Sequence, residues 1–133
     1  MLKPEPRPTA ETRPFWDACK RGELLFQRCA GCGRVQFYPR GHCTACQSHE
    51  LAWERSAGQG TIYSYTVVHR APTEAFRAEV PYVLALVDMA EGFRIMTNVR
   101  GAAPDAVAIG RPVRIVFEPT AGGEALPQAE LAG

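Results

Sequence analysis

Cys29-Ala30-Gly31-Cys32 and, after ten intervening residues, Cys43-Thr44-Ala45-Cys46 decide how this chain is read. A two-residue spacer lets a tight turn aim both sulfurs of a pair at one point. Two such turns facing each other supply four thiolates for a tetrahedral Zn²⁺. Four protein ligands leave no coordination position for water, so the metal is expected to hold the fold together rather than to catalyse. Two disulfides, a redox C-x-x-C pair or an iron site are the alternatives for the same residues. No secretory signal is read in the chain and no βαβ pattern surrounds the pairs, which favours zinc.

The residues around the cysteines support a ribbon. Gly31 and Gly33 give the first pair a backbone that can take positive φ, whereas the second pair is followed by Gln47 and must turn with ordinary residues. Between the pairs, Val35-Gln36-Phe37-Tyr38 has strand character that Pro39 ends, a hairpin in outline. Leu24-Leu25-Phe26 reads as a strand entering the site and Leu51 to Arg55 as one leaving it. Upstream, a short helix is expected from Thr12, as N-cap, with Pro14 in its first turn, to Gly22. Phe15, Trp16 and Cys19 share its apolar face. Cys19, the fifth cysteine, reads as core, and His42 and His49 as surface groups or neighbours of the metal ligands. Residues 1–11, with Pro4, Pro6 and Pro8, are expected to form a flexible arm.

Beyond the glycine-rich joint Ser56-Ala57-Gly58-Gln59-Gly60 the pattern is that of strands. Thr61 to His69 is one and Tyr82 to Met89 another. A turn at Ala90-Glu91-Gly92 leads into Phe93 to Val99, where Phe93, Ile95, Thr97 and Val99 alternate with more polar neighbours. Pro112 opens a further strand, with Val113, Ile115 and Phe117 inward, and a weak last element covers Glu124 to Gln128. Five short strands with a long loop after the first suit a small closed barrel. The chain is therefore expected to be mainly β: a short N-terminal helix, a rubredoxin-like zinc ribbon and a five-stranded OB-fold barrel. The expected divisions are residues 12–56 for helix and ribbon, 57–128 for the barrel and 129–133 for a tail.

Composition narrows the function. The 133 residues carry a formal charge of +1, and four thiolates around one Zn²⁺ take it to −1. Residues 56–133 hold six Arg against eight Asp/Glu, so the barrel half lacks the basic surface that phosphate neutralisation needs. No apolar run approaches the roughly 18–20 residues that span a bilayer. With no targeting segment read, the expected address is the cytoplasm, without a membrane partner.

The order of motifs resembles, over nearly the whole chain, a zinc-ribbon plus OB-fold family of acyl-CoA-associated proteins long labelled a domain of unknown function. The resemblance rests on Pro14-Phe15-Trp16, Gly22-Glu23-Leu24, Arg28-Cys29 to Cys32-Gly33-Arg34, Tyr38-Pro39-Arg40 and Cys43 to Cys46. It continues through Gly58-Gln59-Gly60-Thr61, Tyr63 to Arg70, Val80-Pro81-Tyr82 and Gly110-Arg111-Pro112-Val113. It implies a small companion of thiolase-like proteins, which in this family include a thiolase and hydroxymethylglutaryl-CoA synthase pair, acyl transferases of aromatic polyketide pathways and side-chain aldolases of steroid breakdown. The chain departs from the family in lacking an aromatic residue after Leu126-Pro127 and a glycine after the second cysteine pair.

The expected function is a noncatalytic, zinc-binding accessory subunit. It would form a hetero-oligomer with a thiolase-like enzyme, whether acyl-CoA condensing, acyl-transferring or aldol-cleaving, and help form its acyl-CoA channel. Zn²⁺ is its structural cofactor and acyl-CoA its candidate ligand. No Ser/His/Asp grouping, acid pair or phosphate-cradling loop is evident in the sequence, so no catalytic residue is assigned. Contacts with CoA or a partner are assigned to Phe15, Trp16, Tyr65, His69, Arg70 and Phe76. A single-stranded nucleic-acid binder, stacking bases on Tyr63 or Tyr65, and a freestanding acyl-CoA-binding protein are the alternatives.

Overall fold

The computed structural model describes residues 5–132. Helix α1 (Arg13–Lys20) precedes β1 (Leu25–Cys29), β2 (Val35–Gln36) and β3 (Leu51–Arg55), which form an antiparallel sheet in the order β2-β1-β3. Then β4 (Gln59–Val68), β5 (Tyr82–Met89), β6 (Arg94–Val99), β7 (Pro112–Pro119) and β8 (Ala125–Leu131) close a barrel in the order β4-β5-β6-β8-β7. The architecture is thus mainly β, with one short α-helix, a four-cysteine ribbon and a five-stranded OB-type barrel.

Three expectations change in detail. Thr12 stands at the N-cap of α1, but its hydroxyl makes no cap bond. It accepts the Thr9 amide at 2.8 Å, while the Thr9 hydroxyl accepts the Thr12 amide at 3.2 Å, so the two threonines close a turn in front of the helix. The helix ends at Lys20, two residues earlier than expected, with Gly22 at φ 78° closing the turn onto the Cys19 carbonyl. Of the arm expected at 1–11, residues 1–4 lie outside the described residues. Glu5 is held by the Thr120 hydroxyl and the Gly122 amide at the β7–β8 turn, so the described part is tied down.

The tail expected at 129–133 is the larger correction. Strand β8 runs on to Leu131, and Ala129, fully buried, pairs with Ile115 on one side and Val99 on the other. A small side chain there fits the barrel interior, which a reading by apolar period could not detect in Ala125-Leu126-Pro127-Gln128-Ala129. Gly133 lies outside the described residues.

Strand alternation in β6 follows the sequence: Ile95, Thr97 and Val99 are buried and Met96 points outward. In β7 Val113 is buried, whereas Ile115 and Phe117 are half-buried against the core. Gly60 lies at a close strand crossing, where a Cβ would come within 2.6 Å of the Asp88 carbonyl and 2.7 Å of Val87.

Between β3 and β4 the chain crosses from ribbon to barrel through Ser56, Ala57 and Gly58. Glu91 clasps this joint, accepting the Ser56 hydroxyl at 2.8 Å and the Ala57 amide at 2.7 Å. The packing beneath is continuous. Phe93 of the barrel stacks on Phe26 of β1 at 4.8 Å and on Phe37 of the ribbon at 5.6 Å, and Phe37 meets Phe15 of α1 edge-on at 5.3 Å. Helix, ribbon and barrel therefore bury one core. Each aromatic pair adds about 0.5–1.5 kcal/mol beyond the area it removes from water.

Candidate metal centre and apolar surface

The hairpin β1–β2 and the loop after Pro39 bring the two cysteine turns face to face. All four sulfurs lie within 4.8 Å of one another, with Cys29 and Cys46 at 3.5 Å and Cys32 and Cys43 at 3.7 Å. Four sulfurs tetrahedrally placed about 2.3 Å from a zinc ion would stand ~3.8 Å apart, so the group fits Zn²⁺. The Gly31 amide donates to the Cys29 sulfur at 3.3 Å and the Ala45 amide to the Cys43 sulfur at 3.4 Å, which favours the thiolate form a metal requires. Amides of Cys46 and Ala45 hold the Cys43 thiol down to about 6. Cys29 is also lowered, chiefly by the Cys32 amide. Cys46 goes the other way, to about 12, because the lowering by the Ser48 amide is outweighed, chiefly by its hydrogen bond with Cys29. Bound Zn²⁺ would offset half the negative charge of four thiolates and cross-link the two turns.

The turns are near copies. In the first, Gly33 at φ 77° bonds back to the Cys29 carbonyl. In the second, Gln47 at φ 69° bonds back to the Cys43 carbonyl. Gln47 thus takes the left-handed conformation that glycine adopts without strain.

A network that sequence reasoning missed positions the second turn. Gln27 of β1 is buried and receives the Gln36 side-chain amide at 2.8 Å and the Arg40 backbone amide at 3.0 Å, while donating to the Arg40 carbonyl at 3.1 Å. Gln36 in turn accepts the Thr44 amide at 3.0 Å, inside the second Cys pair. A glutamine within a strand carries no periodic signal, and only the lack of an apolar residue at an inward position hinted at it. His42 and His49 are exposed, their rings 6.4 Å apart, and neither belongs to the sulfur cluster. Cys19 is core: burial, with Glu124 adding, pushes its thiol up to about 12.

The six expected contact residues do not converge. Phe15, buried, and Trp16, half-buried, line a groove of roughly 430 Å³ between α1, the ribbon loop and the barrel, whose walls include Tyr38, Arg40, Met96 and Leu126. Tyr65 borders a shallow depression with Leu84, Leu86 and Met96, next to that groove. His69 and Arg70 are exposed after the end of β4. Phe76 packs on Tyr82 at 5.8 Å and lines a separate recess of roughly 260 Å³ with Asn98 and Arg100. Tyr63, also exposed, is covered by the Arg94 guanidinium at 3.7 Å, and Arg94 is paired with Asp88 at 2.6 Å. Tyr38, Met96, Tyr65 and Tyr63, four of the large apolar side chains left exposed, thus border this groove or lie on the outer strands beside it.

Comparison with known proteins agrees with this architecture. Residues 16–52 match the family described as the ChsH2 rubredoxin-like zinc ribbon domain, and residues 53–118 the ChsH2 C-terminal OB-fold domain. The chain is 41% identical over 112 residues to a probable enoyl-CoA hydratase alpha subunit of Thermomonospora curvata, covering 84% of this chain but only 34% of that protein's length. It is 38% identical over 95 residues to a DUF35 domain-containing scaffold protein of Methanocaldococcus jannaschii, covering 71% of this chain and 67% of the relative. Among solved structures, a chain of the Ltp2-ChsH2(DUF35) aldolase superposes with a TM-score of 0.86 at 36% identity, over 97% of this chain and all of that one.

Proposed function

The chain belongs to the ChsH2/DUF35 family of paired zinc-ribbon and OB-fold domains, and from that premise we propose that it is a noncatalytic scaffold subunit that docks on a thiolase-like enzyme and helps form its acyl-CoA channel. The observation that carries this reading is the apolar face running from Trp16 and Tyr38 across Met96 to Tyr65. Apolar side chains of this size, set around a groove, are the surface a protein partner covers. The sulfur cluster suits the same role, because a closed four-thiolate site stiffens the ribbon that carries Tyr38 without offering a position for substrate.

Support for the class of partner comes from relatives. One is a chain of a two-component aldolase, another is a scaffold protein, and a third has a CoA-ester hydratase in its name. In the complex, which we place in the cytoplasm, His69 and Arg70, exposed after the end of β4 on the same connection that carries Phe76, would receive the charged end of an acyl-CoA. Tyr63 and Tyr65 form a weak platform for nucleic-acid bases, since Arg94 already occupies the Tyr63 ring.

The test is a tagged pull-down from the native host, followed by acyl-CoA condensation and cleavage assays on what co-purifies. The expected result is a stoichiometric thiolase-like enzyme whose activity or stability falls when this chain is removed. Recovery of nucleic acid, or of the chain alone, would overturn the proposal. For the CoA contact, alanine at both His69 and Arg70 should raise KM for the acyl-CoA with kcat kept; an unchanged KM removes those two residues from the site.

A further inference from the structure

We propose that the seam between β6 and β8 is a strand-addition site, in which an extended apolar segment bearing a carboxylate, contributed by the partner subunit, pairs with the open edge of β6. The proposal rests on the docking role above and specifies how docking is achieved.

The open edge follows from hydrogen-bond parity. The Met89 amide bonds to the Phe93 carbonyl at 2.8 Å, and the same register continues through Val87 with Ile95, Ala85 with Thr97 and Val83 with Val99. Odd-numbered residues of β6 therefore bond to β5, and the backbone groups of Arg94 and Met96 turn toward β8. Strand β8 bridges β6 only at Val99 and Ala129, with the Arg100 amide on the Ala129 carbonyl at 2.8 Å. Further along, β8 presents Pro127, which has no N–H to give the Met96 carbonyl, and the Pro127 carbonyl accepts the Thr97 hydroxyl at 2.8 Å. The two strands share a backbone bridge at Val99 and Ala129, and at Thr97 they meet through a side-chain bond in place of a backbone rung.

The groove of roughly 430 Å³ lies over the unbridged end, and Met96, Thr97, Leu126 and Pro127 are among its walls. An extended segment there meets a backbone donor and acceptor on β6 and apolar walls for alternate side chains, which is the chemistry of strand addition. A helix would leave the edge unpaired. Charge defines the segment further: among the described residues Arg40 is the one ionised group lining the groove and no carboxylate lines it, so the complementary occupant brings an acidic side chain or a terminal carboxylate.

Phage-displayed random heptapeptides selected on the zinc-loaded full chain test this directly. The expected winners alternate apolar residues and carry Asp, Glu or a free C-terminus. On binding, the Met96 amide should shift in NMR spectra and become protected from exchange. N-methylation of alternate peptide amides should abolish binding, which side-chain docking alone would survive. Met96→Lys and Arg40→Glu, both at exposed residues, should each weaken binding at least about tenfold with zinc content and melting unchanged. An absence of binders, binders indifferent to both substitutions, or octanoyl-CoA in place of peptide shifting Met96 would overturn the proposal. If the Met96→Lys, Arg40→Glu double variant still co-purifies its enzyme in full, strand addition falls while the docking role stands. Edge-binding peptides with no co-purifying enzyme would uphold the site and sink the docking role.

Discussion

Gln47 occupies, in the second cysteine turn, the position Gly33 holds in the first, and it does so at φ 69°. A side chain in the left-handed region costs about 1–2 kcal/mol, part of which glycine would forfeit by making the unfolded chain more flexible. Gln47→Gly should therefore raise the unfolding free energy of the zinc-loaded protein by about 0.5–1 kcal/mol, read from denaturant midpoints; a loss would mean that the side chain makes a contact worth more than the strain. Protons compete with the metal at the same turns. Cys46, pushed up to about 12, holds a proton throughout the neutral range in the metal-free site, and Cys43, held near 6, joins it only below that pH. Apparent zinc affinity should weaken as pH falls and more steeply below about 6, measured by chelator competition from pH 8 to 5. The ligands were legible from spacing alone because the chemistry of a C-x2-C turn is local. Gln47 was legible as a missing glycine, but its conformation needed the fold.

At the scale of elements, the Gln27–Gln36–Thr44 chain connects β1 and β2 to the second cysteine turn. Gln36→Ala removes both the bond to Gln27 and the acceptor of the Thr44 amide. It should cost roughly tenfold or more in zinc affinity while leaving the barrel's melting in the metal-loaded form little changed; an unaltered affinity would make the network incidental. Strands β3 and β5 were readable to the residue because turn signals or prolines bracket them. Strand β8 was not, since Ala125-Leu126-Pro127-Gln128-Ala129 has neither period nor β-branched residues and its place is fixed by pairing with β7. The cap of α1 was half legible: Thr12 marks the start, but its partnership with Thr9 depends on how the preceding chain turns.

For the whole molecule, Phe93 is the hinge of the packing, with one face on the ribbon and its strand in the barrel. Phe93→Ala should cost about 3–5 kcal/mol, and in the unmodified protein zinc release and barrel unfolding should follow one transition when a chromophoric chelator and far-ultraviolet dichroism are recorded together. Two separated transitions would contradict the shared core. The sequence divides cleanly at residues 52 and 53 between two family descriptions, yet that cut falls inside β3, and the aromatic contacts cross it. The ribbon is consequently not a portable cassette. Grafted elsewhere it would arrive with Phe26 and Phe37 uncovered, and a barrel left behind would expose Phe93. Recombination between relatives should succeed when breakpoints lie outside the pair and fail between its halves, so the two domains should behave as one unit in any chimera.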